Sequence, residues 1–290
     1  ATKRQAVIAF GGGFHGRTLL GMALTGKVAP YKKGFGAMPP EIIHAPFPNA
    51  FHGVTEAEAL AQLDRIFASS VDPERIAAII IEPVQGDGGF LAAPAEFLQA
   101  LRALTEKHGI VLILDEIQAG FGRTGKFWAF EHYGIVPDIL VCAKGMGGGM
   151  PIGAFIANKE VMGVFKNNPL LGHITTFGGH PVSAAASLAT VQILQEEKLI
   201  EQVEPKAELF KSLLIHPKIK SIRNKGLMMA VEFESFEVLK KIIDRAIELG
   251  VITDWFLFCD DSMRIAPPLV ITDEEIREAC TVILQAIEES

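Results

Sequence analysis

The chain has 290 residues, 49% hydrophobic and 21% charged, with a formal net charge of −7. That is enough for one large domain with a smaller partner, or for two modest ones. The acidic balance, with no long Lys/Arg run, excludes a sequence-wide role in binding nucleic acid or an anionic membrane surface.

No apolar run is long enough to cross a bilayer, and Ala1–Phe10 carries no signal-peptide pattern. Cys142, Cys259 and Cys280 lack CxxC spacing, and each lies in an apolar neighbourhood. An odd, sparse set of this kind fits buried, reduced thiols in a cytoplasmic protein.

Taken in order, the elements alternate between strand and helix. Ala6–Phe10 (AVIAF) reads as a short strand ended by three glycines. Thr55 with Glu58 forms a capping box opening a helix through Leu60, Leu63 and Phe67. Ile76–Ile81 (IAAIII) is too continuously apolar for a half-exposed strand and reads as central. A helix follows, with Pro94 at its start, Phe97, Leu98, Leu101 and Leu104 on one face, and Gly109 as its stop. Ile110–Leu114 and Ile139–Ala143 are two further buried strands. This order implies α/β architecture, a mostly parallel sheet covered on both faces. Beyond about Val182 an Ala-rich helix, Ser183–Glu196, leads into a segment richer in Lys and Ile. There Leu227–Phe233, Phe236–Leu249 and Asp273–Glu288 read as strand, helix and helix. The expected organisation is a large domain over 1–193 and a smaller C-terminal α/β domain over 194–290.

In a parallel sheet, chemistry collects at the carboxyl ends of the strands. Three strands here end on an ionisable residue: Glu82, Asp115 and Lys144. Each alone could be a salt-bridge member or a solvated loop charge. An acid and a lysine on different strand ends, both in apolar surroundings, are what pyridoxal phosphate requires. The amine joins the cofactor aldehyde, and the carboxylate keeps the pyridine nitrogen protonated. The lysine then serves as the base that moves the substrate proton. The glycines of Gly145–Met150 would let backbone pass close to a bulky cofactor.

Other chemistries fit less well. Gly11, Gly13 and Gly16 match a dinucleotide-binding GxGxxG, but the expected acidic ribose ligand is replaced by Pro30-Tyr31-Lys32-Lys33. His15, His173 and His180 lack metal-ligand spacing, and no GxSxG marks a hydrolase. Arg17 and Arg264 could each hold a carboxylate in a two-bond fork.

The runs FHGRT (Phe14–Thr18), EPVQGDGG (Glu82–Gly89), DEIQAGFGRTG (Asp115–Gly125), PDILVCAKGMGGGMPIGA (Pro137–Ala154), TTFGGHP (Thr175–Pro181) and RIAPPL (Arg264–Leu269) occur in order. Together they resemble the class III, or ω-amino-acid, aminotransferases over nearly the whole chain. Ala23–Pro39 is most similar to bacterial 4-aminobutyrate aminotransferases, and the part from Pro137 on to acetylornithine and ornithine aminotransferases. The resemblance implies the three-layer αβα, mostly parallel sheet of the aspartate aminotransferase-like fold.

It also implies roles. Lys144 corresponds to the cofactor-bearing lysine and Asp115 to the pyridine partner. Gln118 corresponds to the residue at the ring hydroxyl, with Ile117 and Phe14 on the two ring faces and His15 beside them in the cofactor site. Thr176 corresponds to a residue that reaches the neighbouring subunit's cofactor phosphate in a homodimer. Arg17 and Arg264 correspond to the arginines for the distal and α-carboxylates, and Glu82 and Thr175 belong with the substrate-binding residues. Asp87 stands where the family carries a glutamate that neutralises the α-carboxylate arginine. Being one methylene shorter, it is expected to pair more loosely. His180 stands where the family usually has Asn.

The resemblance further implies about a hundred residues before Ala1, including a helix start that grips the cofactor phosphate. The implied reaction moves an ω-amino group, as from 4-aminobutyrate, to 2-oxoglutarate. Acetylornithine or ornithine transamination and an inactive fragment of the same fold are the alternatives.

Overall fold

A computed structural model describes residues 1–50, 53–166 and 173–290. In chain order it contains strand β1 (Ala6–Phe10), helix α1 (Leu19–Leu24), β2 (Ile42–Ala45), α2 (Glu56–Ser69) and β3 (Ile76–Ile81). The short hairpin β4 (Val84–Gln85) and β5 (Leu91–Ala92) follows, then α3 (Ala95–His108), β6 (Val111–Asp115), β7 (Ile139–Cys142) and β8 (Ala154–Ala157). The chain continues through α4 (Lys159–Gly163), α5 (Pro181–Glu196), α6 (Val203–Leu213), β9 (Ser221–Lys225) and β10 (Met228–Glu232). It ends with α7 (Phe236–Glu248), β11 (Asp254–Trp255), β12 (Ser262–Ile265) and α8 (Asp273–Glu288).

Six strands form the principal sheet in the order β2-β1-β3-β6-β7-β8. All neighbours run parallel except β8, which pairs antiparallel with β7 at one edge. The two faces are covered separately because successive strand residues point to opposite sides. Ile8, Phe10, Ile79, Ile81, Leu112 and Leu114 pack with Leu63, Phe97 and Leu101 of α2 and α3. Ala9 and Ile80, one residue out of phase, pack with Leu24 of α1. This is the expected αβα layering.

Local signals hold the elements in place. Both halves of the Thr55–Glu58 capping box are formed, and Gly109 ends α3 with φ of 61°. The IVLIL strand is displaced by one residue from the sequence reading, so that Asp115 is its last member. The Ile110 N–H is instead taken by the Thr105 carbonyl at the end of α3, at 2.9 Å, so pairing begins at Val111.

A second sheet, β11-β12-β10-β9, is antiparallel throughout. Its core joins Met229, Val231 and Met263 to Phe210 of α6, Ile242 of α7 and Ile283 of α8. Cys142 and Cys280 are buried. Cys259 packs against the apolar cluster of Val84, Phe90 and Phe256, and its sulfur also contacts the Arg223 guanidinium at 3.1 Å, with Asp261 and Ser262 beside it. Among the described residues no helix is long and apolar enough to cross a membrane.

Candidate active site

The crevice forms where β3, β6 and β7 end side by side. Glu82 follows β3 directly, and Asp115 ends β6 opposite Val141 of β7, the strand that runs on to Lys144. The acid and the amine therefore share one end of the sheet. Lys144 has φ of 46°, a left-handed conformation that a non-glycine residue adopts at a cost of order 1 kcal/mol. Phe90 and Phe121 are likewise left-handed, at 53° and 55°. These three strained residues line one cavity of about 770 Å³, together with Gln118, Gly148, Thr190 and Arg264. Three of the six left-handed non-glycine residues among the described ones thus border this hollow, Lys3, Glu41 and Lys198 lying outside its lining.

Behind the amine lies a buried acid–base cluster. Asp115 Oδ2 meets His15 Nδ1 at 2.8 Å, and Oδ1 accepts the Ile117 N–H at 3.1 Å. Glu82 is buried and accepts the N–H groups of Phe14 at 2.9 Å and Gly86 at 3.0 Å. Burial alone would lower the His15 pKa. The hydrogen bond and charge of Asp115, with the charge of Glu82, outweigh it, and the net shift is upward. Burial pushes Glu82 up to about 7; Asp115 adds to that shift, while His15 and the two backbone donors oppose it. Burial in the crevice lowers the Lys144 pKa against the opposing charges of Asp87 and Glu82.

Toward the second sheet, Arg264 Nη2 reaches Asp87 Oδ1 at 2.9 Å. Asp87, one methylene shorter than glutamate, thus makes a direct ion pair with Arg264. The guanidinium lies over the rings of Phe256 at 4.9 Å and Phe90 at 5.6 Å, and Asp254 stands 3.6 Å from its Nε. Arg17 is exposed, stacked 4.7 Å from the centre of the buried Tyr31 ring. Asp254 and Tyr31 escaped the sequence reading. Asp254 meets Arg264 only through the β11–β12 pairing, and Tyr31 sits in a loop with no periodic signal.

Not every candidate gathers at one wall. Lys144, Gln118 and Arg264 line the large cavity, whereas Phe14, His15, Asp115 and Arg17 do not. Thr175 and Thr176 are exposed. Among the described residues no group of three His, Cys, Asp or Glu side chains could hold a metal.

The residues present fit the ring end of pyridoxal phosphate. The Asp115 carboxylate is buried at one strand end with lone pairs to spare beyond its two contacts, and the buried His15 Nε2 has no hydrogen-bond partner among the described residues. Gln118 packs over Gly86, where a Cβ would come within 2.5 Å of its Nε2. The cavity is of ordinary cofactor size.

Residues 1–287 match the family described as aminotransferase class-III. The chain is 41% identical to the 5-aminovalerate aminotransferase DavT of Pseudomonas aeruginosa, an alignment covering 100% of this chain and 70% of that protein. It is 40% identical to the 4-aminobutyrate aminotransferase GabT of Escherichia coli, with the same coverage of each. The acetylornithine aminotransferase of Corynebacterium efficiens is 39% identical, over 99% of this chain and 67% of that one. Among solved structures, a Bacillus anthracis aminotransferase superposes with a TM-score of 0.91 at 30% identity, over 99% of this chain and 70% of that one. The chain belongs to the class-III aminotransferases.

Proposed function

We propose that the chain uses pyridoxal phosphate to transfer an ω-amino group from a 4-aminobutyrate-like donor to 2-oxoglutarate, giving glutamate. The observation that carries this reading is the Lys144 amine and the Asp115 carboxylate at adjacent strand ends, with the Arg264–Asp87 pair across the crevice. When bound, the cofactor supplies an electron-withdrawing ring that stabilises negative charge on the substrate carbon.

The chain's own residues do the rest. Lys144 carries the cofactor and then moves the substrate proton, a task that its lowered pKa favours. Asp115 holds a proton at the pyridine nitrogen, oriented by His15 and the Ile117 N–H. Gln118 would hold the ring hydroxyl, and Phe14 and Ile117 would hold the ring between them. Arg17 takes the distal carboxylate. Arg264 takes the α-carboxylate of glutamate or 2-oxoglutarate, and Asp87 occupies it when the donor has none. Glu82 closes the buried end of the site by holding the Phe14 and Gly86 N–H groups.

The reading includes a division of the chain into units 1–193 and 194–290, Thr175 as a substrate-binding residue, and a homodimer in which Thr176 reaches the partner's cofactor. The exposure of Thr176 and the exposed apolar face of α5 support the dimer. The three free cysteines support a cytoplasmic location.

The test is direct. Purified protein incubated with pyridoxal phosphate and then borohydride should carry the cofactor's mass on the peptide containing Lys144, and should form glutamate from 4-aminobutyrate and 2-oxoglutarate. Lys144→Ala should lose both. Labelling elsewhere, or no uptake at all, overturns the proposal.

A further inference from the structure

The two arginines assigned to carboxylates are held in different ways. Arg264 is fixed by Asp87, by Asp254 and by two aromatic rings. Arg17 is exposed and makes no ion pair among the described residues. Its guanidinium instead stands over the Tyr31 ring.

Tyr31 is only 1% exposed, although its neighbours Pro30 and Lys33 lie open to solvent. Its ring is wedged between Phe14 at 5.2 Å and Phe258 at 5.7 Å. Phe14 belongs to the FHGRT segment beside the cofactor site, and Phe258 to the loop between β11 and β12 that leads to Arg264. The Tyr31 hydroxyl lies within electrostatic reach of Asp87 and Arg264 as well as Arg17. One rigid ring therefore supports one carboxylate-binding guanidinium on its face and is clamped toward the loop that presents the other. An aromatic ring is well suited to this, because its face attracts a cation while its flat body cannot bend.

We propose that Tyr31 is a positioning residue that fixes the separation between Arg17 and Arg264, and so selects the chain length of the dicarboxylic oxo-acid that the enzyme accepts. This rests on the reading in which Arg17 holds the distal carboxylate. A loosened Arg17 costs binding only for ligands that carry a distal carboxylate, and it costs most for the length to which the gap is set.

The experiment uses the protein loaded with pyridoxal phosphate. It compares wild type with Tyr31→Leu, Tyr31→Phe and Arg17→Ala on oxaloacetate, 2-oxoglutarate and 2-oxoadipate, with pyruvate as the acceptor lacking a distal carboxylate. Tyr31→Leu is expected to raise KM for 2-oxoglutarate roughly three- to thirty-fold, the range spanned by exposed and desolvated cation–ring contacts. It should flatten the preference among the three lengths while leaving kcat, and kinetics with pyruvate, within about twofold of wild type. Tyr31→Phe, which keeps the ring face, should restore most of the preference.

If Tyr31→Leu does not fold, pentafluorophenylalanine at position 31 keeps the shape and reverses the charge of the ring face. The same rise in KM is then expected. Unchanged KM and length preference, alongside a raised KM in Arg17→Ala, overturns the role of Tyr31 alone. An equal loss with pyruvate makes Tyr31 merely structural and overturns it too. No effect from Arg17→Ala removes the reading beneath it.

Discussion

Arg264 and Asp87 meet at 2.9 Å although 177 residues separate them in the chain. Both side chains are under a quarter exposed, so a guanidinium left alone here would lose a charged hydrogen bond worth about 1.5–3 kcal/mol. The pair can thus act as a seat held by Asp87 until a substrate carboxylate displaces it. Asp87→Asn is expected to lower kcat/KM for 4-aminobutyrate about tenfold relative to that for glutamate, since only glutamate brings an α-carboxylate to Arg264. Asp87→Glu should leave that ratio near the wild-type value. Steady-state kinetics with both donors decide, and an unchanged ratio in Asp87→Asn would rule out the seat.

The buried cluster of His15, Asp115 and Glu82 predicts a pH-dependent stability. Burial raises Glu82 to about 7 in the folded chain, against 4.5 for the unperturbed acid. Between those values the folded state holds a proton that the unfolded state has released, so stability falls as pH rises through this window and levels off above it. The raised His15 pKa acts in the same direction, its contribution being lost as pH rises through the folded value. These groups titrate together, and the measurable quantity is their combined slope. In Glu82→Gln the decline should flatten by up to about 3 kcal/mol across the window. Urea unfolding of both proteins from pH 5 to pH 8 tests this; parallel profiles would contradict it.

Gly226 turns the chain between β9 and β10 with φ of 56°, and its Cα rests on the backbone of Arg123 and Thr124. A Cβ there would stand 2.6 Å from Thr124 C and 2.7 Å from Arg123 O. Neither backbone atom can swing aside, and the segment is also tied by the Leu227 N–H to the Arg123 carbonyl at 3.0 Å. Gly226→Ala should cost about 2–3 kcal/mol, strain plus overpacking. Gly134→Ala provides the comparison: φ is 65° but a Cβ there would meet nothing within 4 Å among the described residues, so about 1 kcal/mol of conformational cost is expected alone. Equal losses in urea unfolding would show that the contact with Arg123 and Thr124 is unimportant.

What could be read from the sequence follows from how local the cause is. Ile76–Ile81 announces a central strand because burial on both faces removes every polar residue, and Thr55 with Glu58 announces a helix start because both partners lie within one turn. Lys144 and Asp115 stood out because each interrupts an apolar run at the place where the strand must end. By contrast, β9 reads SIRNK and is half-buried throughout, with no alternation to betray it. The antiparallel edge strand β8 follows a glycine-rich loop and carries no signal of its direction. Two contacts inside the site were invisible for a different reason. Arg264 meets Asp254 through strand pairing, and Arg17 meets Tyr31 through packing, so neither leaves a spacing in the chain.

Helix α5 predicts how the chain assembles. Of its sixteen residues only Ser183 and Leu194 are buried, while Val182, Leu188 and Ile193 are 56%, 61% and 43% exposed. Ile174 and Phe177, just before it, are 66% and 77% exposed. A helix apolar on nearly every side is stable in water only when other protein covers it. Thr175 and Thr176 lie within this exposed stretch, so a second copy seated on it would bring both threonines to its own surface. Leu188→Glu together with Phe177→Asp should shift the protein from dimer to monomer in sedimentation velocity, because two charges would enter the covered face. The circular dichroism of the variant should stay close to that of wild type, since neither side chain belongs to a core within the chain. Persistence of an unaltered dimer would place the interface on another face.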